Sequence, residues 1–174
     1  MPGHEGNRKE DHEPVRIAFD LDDTLIPSGL GTFPVEPPPG WLGRLLVQEL
    51  LRERSARLLR ALRRHGCEVW VYTTSFRSPL HVRRLFLCYG VWVGGVINGD
   101  RHARWLESQG RRFSCSKYPP AFGIDLLIDD SEGVQIEARQ YQYRMLHVRP
   151  DERDWDEKIV AEVNRSLARP ICLG

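Results

Sequence analysis

Short apolar runs separated by amphipathic stretches set the pattern of this chain. Five runs have the length and make-up of buried strands: Val15–Phe19, Glu68–Tyr72, Gly95–Ile97, Ile124–Ile128 and Met145–Val148. Several are continuous rather than alternating, as in a parallel sheet covered on both faces. Helical periodicity predicts helices over Trp41–His65, Pro79–Cys88, Glu132–Tyr141 and Glu152–Leu167. In the first, Leu51, Leu58, Leu59 and Leu62 share one face while Arg57, Arg60, Arg63 and Arg64 lie mostly on the other, and Gly66 is a natural stop. In the second, Leu80, Leu85 and Leu87 are apolar and His81, Arg83 and Arg84 polar. Strands alternating with helices imply right-handed crossovers. The fold expected is α/β, a Rossmann-like three-layer α/β/α sandwich with a mainly parallel central sheet of about five strands.

Two segments break this rhythm. Residues 26–40 are crowded with Pro27, Gly29, Gly31, Pro34, Pro37, Pro38, Pro39 and Gly40 and read as a flap. Residues 98–116 show no readable period. Residues 1–13 are polar with no apolar segment and read as a disordered lead-in, leaving 14–174 as a single domain.

Composition narrows the class. Of 174 residues, 41% are apolar and 28% charged, which is ordinary globular material. A formal net charge of +1 disfavours a protein built to coat nucleic acid, so the arginines of Trp41–His65 read as a solvated helix face. No apolar run approaches a membrane span. The widely spaced Cys67, Cys88, Cys115 and Cys172 contain no Cys-x-x-Cys pair, which disfavours zinc. With no export signal, free thiols in a cytoplasmic protein are the default, and Cys88 reads as core filler.

The chemistry gathers at the ends of the runs. The first run, Val15–Phe19, ends in Asp20, Asp22 and Asp23, a cluster that repulsion and desolvation both penalise. In extended chain Asp20 and Asp22 point the same way, so both could converge on one cation, and such oxygen ligands suit Mg²⁺. The second run is followed by Thr73, Thr74 and Ser75, the fourth by Asp129, Asp130 and Ser131. In an open parallel sheet these positions share the carboxyl edge, where ligands bind.

Asp20-Leu21-Asp22-Asp23-Thr24 resembles motif I, DxDx[TV], of the haloacid dehalogenase-like (HAD) superfamily. Val69–Thr73 resembles motif II, Lys117 the motif III lysine, and Leu126–Asp130 motif IV. The four occur in order across residues 15 to about 148. The resemblance implies a Mg²⁺-dependent phosphomonoester hydrolase. Asp20 would be the nucleophile that forms an aspartyl-phosphate and a metal ligand. Asp22 would be general acid and base and lend its main-chain carbonyl to the metal. Thr73, with Thr74 as the alternative, would bind a phosphoryl oxygen. Lys117 would neutralise charge on nucleophile and phosphate. Asp129 and Asp130 would complete the metal shell, either one being the direct ligand. Asp at position 22 fits phosphatases and mutases rather than members that store their phosphoenzyme. Mutase chemistry is disfavoured, because a small cap excludes water poorly.

The intervals that hold caps in this superfamily are short here, which implies a nearly capless enzyme. Such members tend to act on large phosphorylated substrates, phosphoproteins or nucleic-acid ends, or borrow a lid by homo-oligomerising. A small phosphorylated molecule is the other substrate class, and a non-catalytic binding module the remaining alternative. Arg77 could meet an anionic substrate, although a solvated loop arginine is the simpler expectation. His102 reads as an exposed loop histidine, and Trp70, Trp92 and Trp105 as packing residues.

Overall fold

The computed structural model describes residues 13–28, 33–38, 40–110, 113–165 and 171. Five strands make one sheet: β1 (Arg16–Phe19), β4 (Glu68–Tyr72), β5 (Gly95–Ile97), β6 (Leu126–Asp129) and β7 (Met145–His147). Their order is β5-β4-β1-β6-β7 and every neighbouring pair is parallel. The chain fills one half of the sheet outward from β1, then crosses back to fill the other. β1 therefore lies between β4 and β6, at the point where the strand order reverses. Ligand crevices open at the carboxyl end of such a point, and the residue that follows β1 is Asp20.

Side-chain alternation in the strands builds two cores. Ile17, Phe19, Val69 and Val71 face one layer, with Leu58, Leu59 and Leu62 of α2 (Ser55–Arg64), Val82 and Phe86 of α3 (Pro79–Cys88) and Ile159 and Val163 of α6 (Trp155–Asn164). Ala18, Tyr72, Ile97 and Leu127 face the other, with Val134 and Ala138 of α5 (Glu132–Tyr141). The expected three-layer α/β/α sandwich with a five-stranded parallel sheet is what forms. Among the described residues no helix is long and apolar enough to cross a membrane.

Helix caps follow the strands closely. Asn98, after β5, accepts from the Arg101 amide and starts α4 (Gly99–Gln109). Ser131, after β6, accepts from Val134 and starts α5. Ser78 caps α3 in the same way, with Pro79 at its first position.

Several expectations need correction. The stretch Trp41–His65 is not one helix: it holds α1 (Trp41–Leu46), the short strand β3 (Leu51–Arg52) and α2. β3 pairs antiparallel with β2 (Val35–Glu36), so part of the expected flap is strand; residues 29–32 and 39 of that flap lie outside the described residues. Leu51 is apolar in either geometry, and its single period could not separate helix from strand. The hairpin is fixed to the body. The Tyr89 hydroxyl donates to the Glu36 carbonyl and accepts from the Leu51 amide, while a Glu36 carboxylate oxygen accepts from Ala56 at the start of α2. Arg52 is buried between the rings of Phe33 and Trp155 and donates to the carbonyls of Arg149, Pro150 and Glu152.

Second, residues 98–116 contain α4, whose few apolar positions hid its period. His102 is thus buried in a helix rather than exposed in a loop. Third, the last helix is Trp155–Asn164, shorter than expected at both ends; residues 166 and 167 lie outside the described residues, as do residues 1–12 of the lead-in. Trp92, expected to pack, is 54% exposed.

Candidate active site

Asp20 sits at the first position beyond β1. Its amide continues the ladder by donating to the Ile128 carbonyl at 2.8 Å, so backbone pairing fixes its place. The chain then turns at once. Leu21 and Leu25 enter the core, and the amides of Leu25 and Ile26 both donate to the Leu21 carbonyl. Asp23 takes a left-handed conformation, φ 58°, which Asp tolerates better than most residues. Its carboxylate accepts from the Ser28 amide and hydroxyl. Asp23 is thereby a turn residue.

Asp20 and Asp22 are expected to converge on one centre; the Asp20 carboxylate lies in a group with Asp129 and Asp130, of which Asp22 is not a part. Past Asp20 the chain makes a single bridge between Asp22 and Ile26 and turns at 23–25, and the two carboxylates find different partners. Asp20 accepts from the Lys117 ammonium, which also donates to Asp129 at 2.6 Å. All three are buried. A second Asp129 oxygen accepts from the Ser131 amide at 2.9 Å, and Asp130 accepts from the Thr24 hydroxyl at 2.8 Å. Carboxylate oxygens of Asp20, Asp129 and Asp130 lie within 4.8 Å of one another. Asp22 instead accepts from Arg77 at 2.8 Å. Two further Arg77 nitrogens donate to Glu49 at 3.0 and 2.7 Å, and His81 lies 3.2 Å from the other Glu49 oxygen.

Electrostatics separate the two groups. Burial pushes the Asp20 carboxyl up to about 7, against the Lys117 charge and with the help of the Asp129 charge. Burial alone would lower Lys117, but its two carboxylates overrule that and hold the ammonium protonated. Burial also raises Asp130, against the Thr24 hydrogen bond. Two carboxylates around one ammonium, with a third acid beside them, leave uncompensated negative charge in a desolvated place. Hard oxygen donors converging there fit a divalent cation such as Mg²⁺.

The loop that carries Lys117 is held at each residue from 115 to 118. The Cys115 carbonyl accepts from His102 Nε2 at 3.0 Å. Glu137 of α5 accepts from the Ser116 amide and hydroxyl and from the Lys117 amide. The Tyr118 amide donates to the Tyr72 hydroxyl at 2.9 Å. That hydroxyl lies 2.6 Å from His102 Nδ1. Because Nε2 faces a carbonyl, it carries the proton, and the Tyr72 O–H donates to a bare Nδ1. Burial lowers the His102 pKa and keeps this neutral form.

Thr73 is fully buried at the end of β4. Its amide donates to the Ile97 carbonyl, and its hydroxyl accepts from the Ser75 amide at 3.1 Å and lies 3.1 Å from the Ser75 hydroxyl. Thr74 is exposed. Its carbonyl would lie 2.7 Å from a Cβ at Gly99, so only glycine lets α4 begin this close to the loop. Arg77 is not the solvated arginine expected from its loop position, since two carboxylates hold it and its carbonyl accepts from Asn98.

Sequence reasoning therefore brought Asp20, Lys117, Asp129 and Asp130 to one place, and the structure groups them. It gave no role to Thr24, Tyr72, Glu137, Glu49 or His81. Thr24 alone carried a signal, its place inside the acidic turn.

No family model and no curated protein matches the chain. Solved structures similar to it include a chain of the Pnkp1/Rnl/Hen1 complex, at 17% identity and TM-score 0.49, covering 80% of this chain and 47% of that one. This chain thus spans about half the length of that relative. A protein assigned as a HAD-like family hydrolase, from Porphyromonas gingivalis, is similar at 14% identity and TM-score 0.45, with 91% and 100% covered. A protein assigned as a 3-deoxy-D-manno-octulosonate 8-phosphate phosphatase from Vibrio cholerae is similar at 15% and 0.45, with 90% and 88% covered. Values this low assign neither substrate nor reaction. The chain has a Rossmann-like α/β fold by its own strand order, with acids at the carboxyl edge of the sheet.

Proposed function

We propose that this chain is a Mg²⁺-dependent phosphomonoester hydrolase that works through an aspartyl-phosphate on Asp20. The observation that carries the reading is the buried corner where Asp20, Lys117, Asp129 and Asp130 converge at the switch point of the sheet. Asp20, Asp129 and Asp130, with the Asp22 main-chain carbonyl, are the groups that would hold Mg²⁺, and the bound ion supplies charge neutralisation toward an anionic phosphate.

Asp20 attacks phosphorus as the bond to the leaving alkoxide breaks, and the leaving oxygen takes a proton from Asp22. A water molecule then loses its proton to Asp22, attacks the same phosphorus and releases inorganic phosphate, which restores Asp20. Lys117 holds the nucleophile in place and balances its charge and that of the phosphoryl group. Thr73 or Thr74 donates to a phosphoryl oxygen. Arg77 donates to the Asp22 carboxylate at 2.8 Å and orients it. Asp22, Arg77 and Glu49 are between about a quarter and a third exposed.

A large phosphorylated substrate, such as a phosphoprotein or a nucleic-acid end, is the substrate class we favour. Among the described residues, the interval between β1 and β4 holds a hairpin pinned to the body, α1 and α2, and the interval after β5 holds α4, which supports the reading of a site with no large cap. A cytoplasmic enzyme is in keeping with Cys67, Cys88 and Cys115, which are free thiols.

Phosphate release from an aryl phosphate, with Mg²⁺ and with EDTA, tests the reading. Activity should need the metal and vanish in Asp20→Asn. Undiminished turnover in that variant would sink the mechanism.

A further inference from the structure

The arginines of α2 and α3 meet around Trp92. A groove of about 590 Å³ is lined by Leu80, Arg83, Arg84, Leu87 and Trp92, among others. A second, of about 380 Å³, is also bordered by Trp92 and is lined by Arg60, Arg63 and Arg64. Leu80 is 78% exposed, Leu87 51% and Trp92 54%. Three large apolar side chains so close together, in a basic rim, mark a surface that association would cover.

The charge here is segregated. The whole chain is nearly neutral, at +1, yet neither groove wall includes a carboxylate. Among the described residues none of the five arginines forms an ion pair; the pairs that exist involve other residues. Three of them are fixed through the main chain that carries Trp92. Arg60 donates to the Tyr89 carbonyl at 2.7 Å, Arg63 to the Trp92 carbonyl, and Arg83 to the Gly94 carbonyl at 3.4 Å. Each uses one terminal nitrogen for this, so other guanidinium N–H groups stay available. The Arg83 Nε is closed off and has no hydrogen-bond partner.

We propose that this face docks an acidic segment of a partner protein, with a large apolar side chain of that segment seated between Leu80, Leu87 and Trp92. Its carboxylates would pair with the guanidinium rim, for which arginine is well suited. Other occupants fit less well. A second copy on the same face would set arginine against arginine across a two-fold axis. A single nucleic-acid strand binds through successive stacked bases, and leucines offer no stacking plane beside the one indole. A recessed groove suits a side chain better than a lipid surface. The inference stands apart from the hydrolase reading, since Leu80, Arg83, Arg84, Leu87 and Trp92 are not in that site; His81, which also lines the groove, pairs with Glu49 there.

The test is binding. Random peptides of about sixteen residues are displayed against the full chain, and an enriched peptide is labelled and measured by fluorescence anisotropy. Enriched sequences should set Asp and Glu around Leu, Phe or Trp. Affinity should fall at least about tenfold in Arg64→Glu/Arg84→Glu and in Leu80→Ser/Leu87→Ser, and less in Arg84→Glu alone. Far-UV circular dichroism and Tm verify that each variant is folded. Neutral or basic enriched sequences, or affinity unchanged in both double variants, would overturn the proposal. So would an oligothymidylate or a phosphatidylserine vesicle binding more tightly through the same residues. A substrate screen is read separately, so losing one claim leaves the other in place.

Discussion

The two sides of the candidate site are built differently. On one side Lys117, Asp20 and Asp129 are buried, paired and held through a loop clamped by Tyr72, His102 and Glu137. On the other, Asp22, Arg77, Glu49 and His81 form a partly exposed chain of ion pairs. A nucleophile needs a fixed approach, and its neutralising charge must be fixed as well. A proton shuttle must gain and lose a proton, so its partners have to yield. The contrast teaches that rigidity is placed where the phosphoryl group would bond and adjustability where the proton would move.

Substitutions should separate these sides by size of effect. Asp20→Asn should lower turnover of an aryl phosphate by roughly a thousandfold or more while the fold persists, as seen by steady-state kinetics and circular dichroism. Lys117→Met leaves two buried carboxylates without their cation. It should cost about 3 kcal/mol or more by urea unfolding, whereas Arg77→Met should cost about 1 kcal/mol or less, because its pairs are partly in solvent. Equal losses would erase the comparison.

Metal should act on the buried side. Mg²⁺ at a hundredfold excess over its Kd should stabilise the protein by about 2.7 kcal/mol, a Tm rise of roughly 5–10 °C, and EDTA should reverse it. Asp129→Asn and Asp130→Asn should blunt that rise, and the larger loss names the direct ligand. A Tm indifferent to Mg²⁺ would remove the acidic corner from consideration as a metal site.

The smallest effects concern pH, and the two sides should respond with opposite sign. In EDTA, the Asp20 carboxyl is raised from 3.8 to about 7 by burial. Its protonated form favours the fold, so that contribution is full below pH 3.8 and is lost as pH rises through about 7. Burial also opposes ionised Glu49, but hydrogen bonds from Arg77 and His81 prevail and hold its pKa below 4.5. Its contribution is present above pH 4.5 and lost as pH falls through the depressed value. Urea titrations of Asp20→Asn and Glu49→Gln against the parent across this range check both signs. A shared sign would show that one of the two environments is wrongly described.

Much of this fold was legible in the chain. The five runs became the five strands within a residue or two, because a buried strand is announced by its own apolar side chains. α3 and α5 matched to the residue, each with a Ser cap. What misled was also local. α4 has few apolar positions, so its period was faint, and Leu51 reads the same in a helix as in β3. The acids at the strand ends were legible, because a cluster of like charge after an apolar run is conspicuous. Their partners were not. Asp22 looked like a companion of Asp20, and its partner Arg77 comes from 55 positions away.

By itself the sequence determined the five sheet strands, α3 and α5, and which acids stand at the sheet edge, since these rest on patterns among residues near one another in the chain. Only the tertiary structure decided who meets whom. Lys117 reaches Asp20 across 97 positions, Arg77 reaches Asp22 across 55, and Glu49 reaches Arg77 across 28. The same holds for the ring of arginines about Trp92, which a near-neutral composition concealed. Charges and hydrogen bonds act through space, and in a crossed-over sheet the order of strands in space differs from their order in the chain.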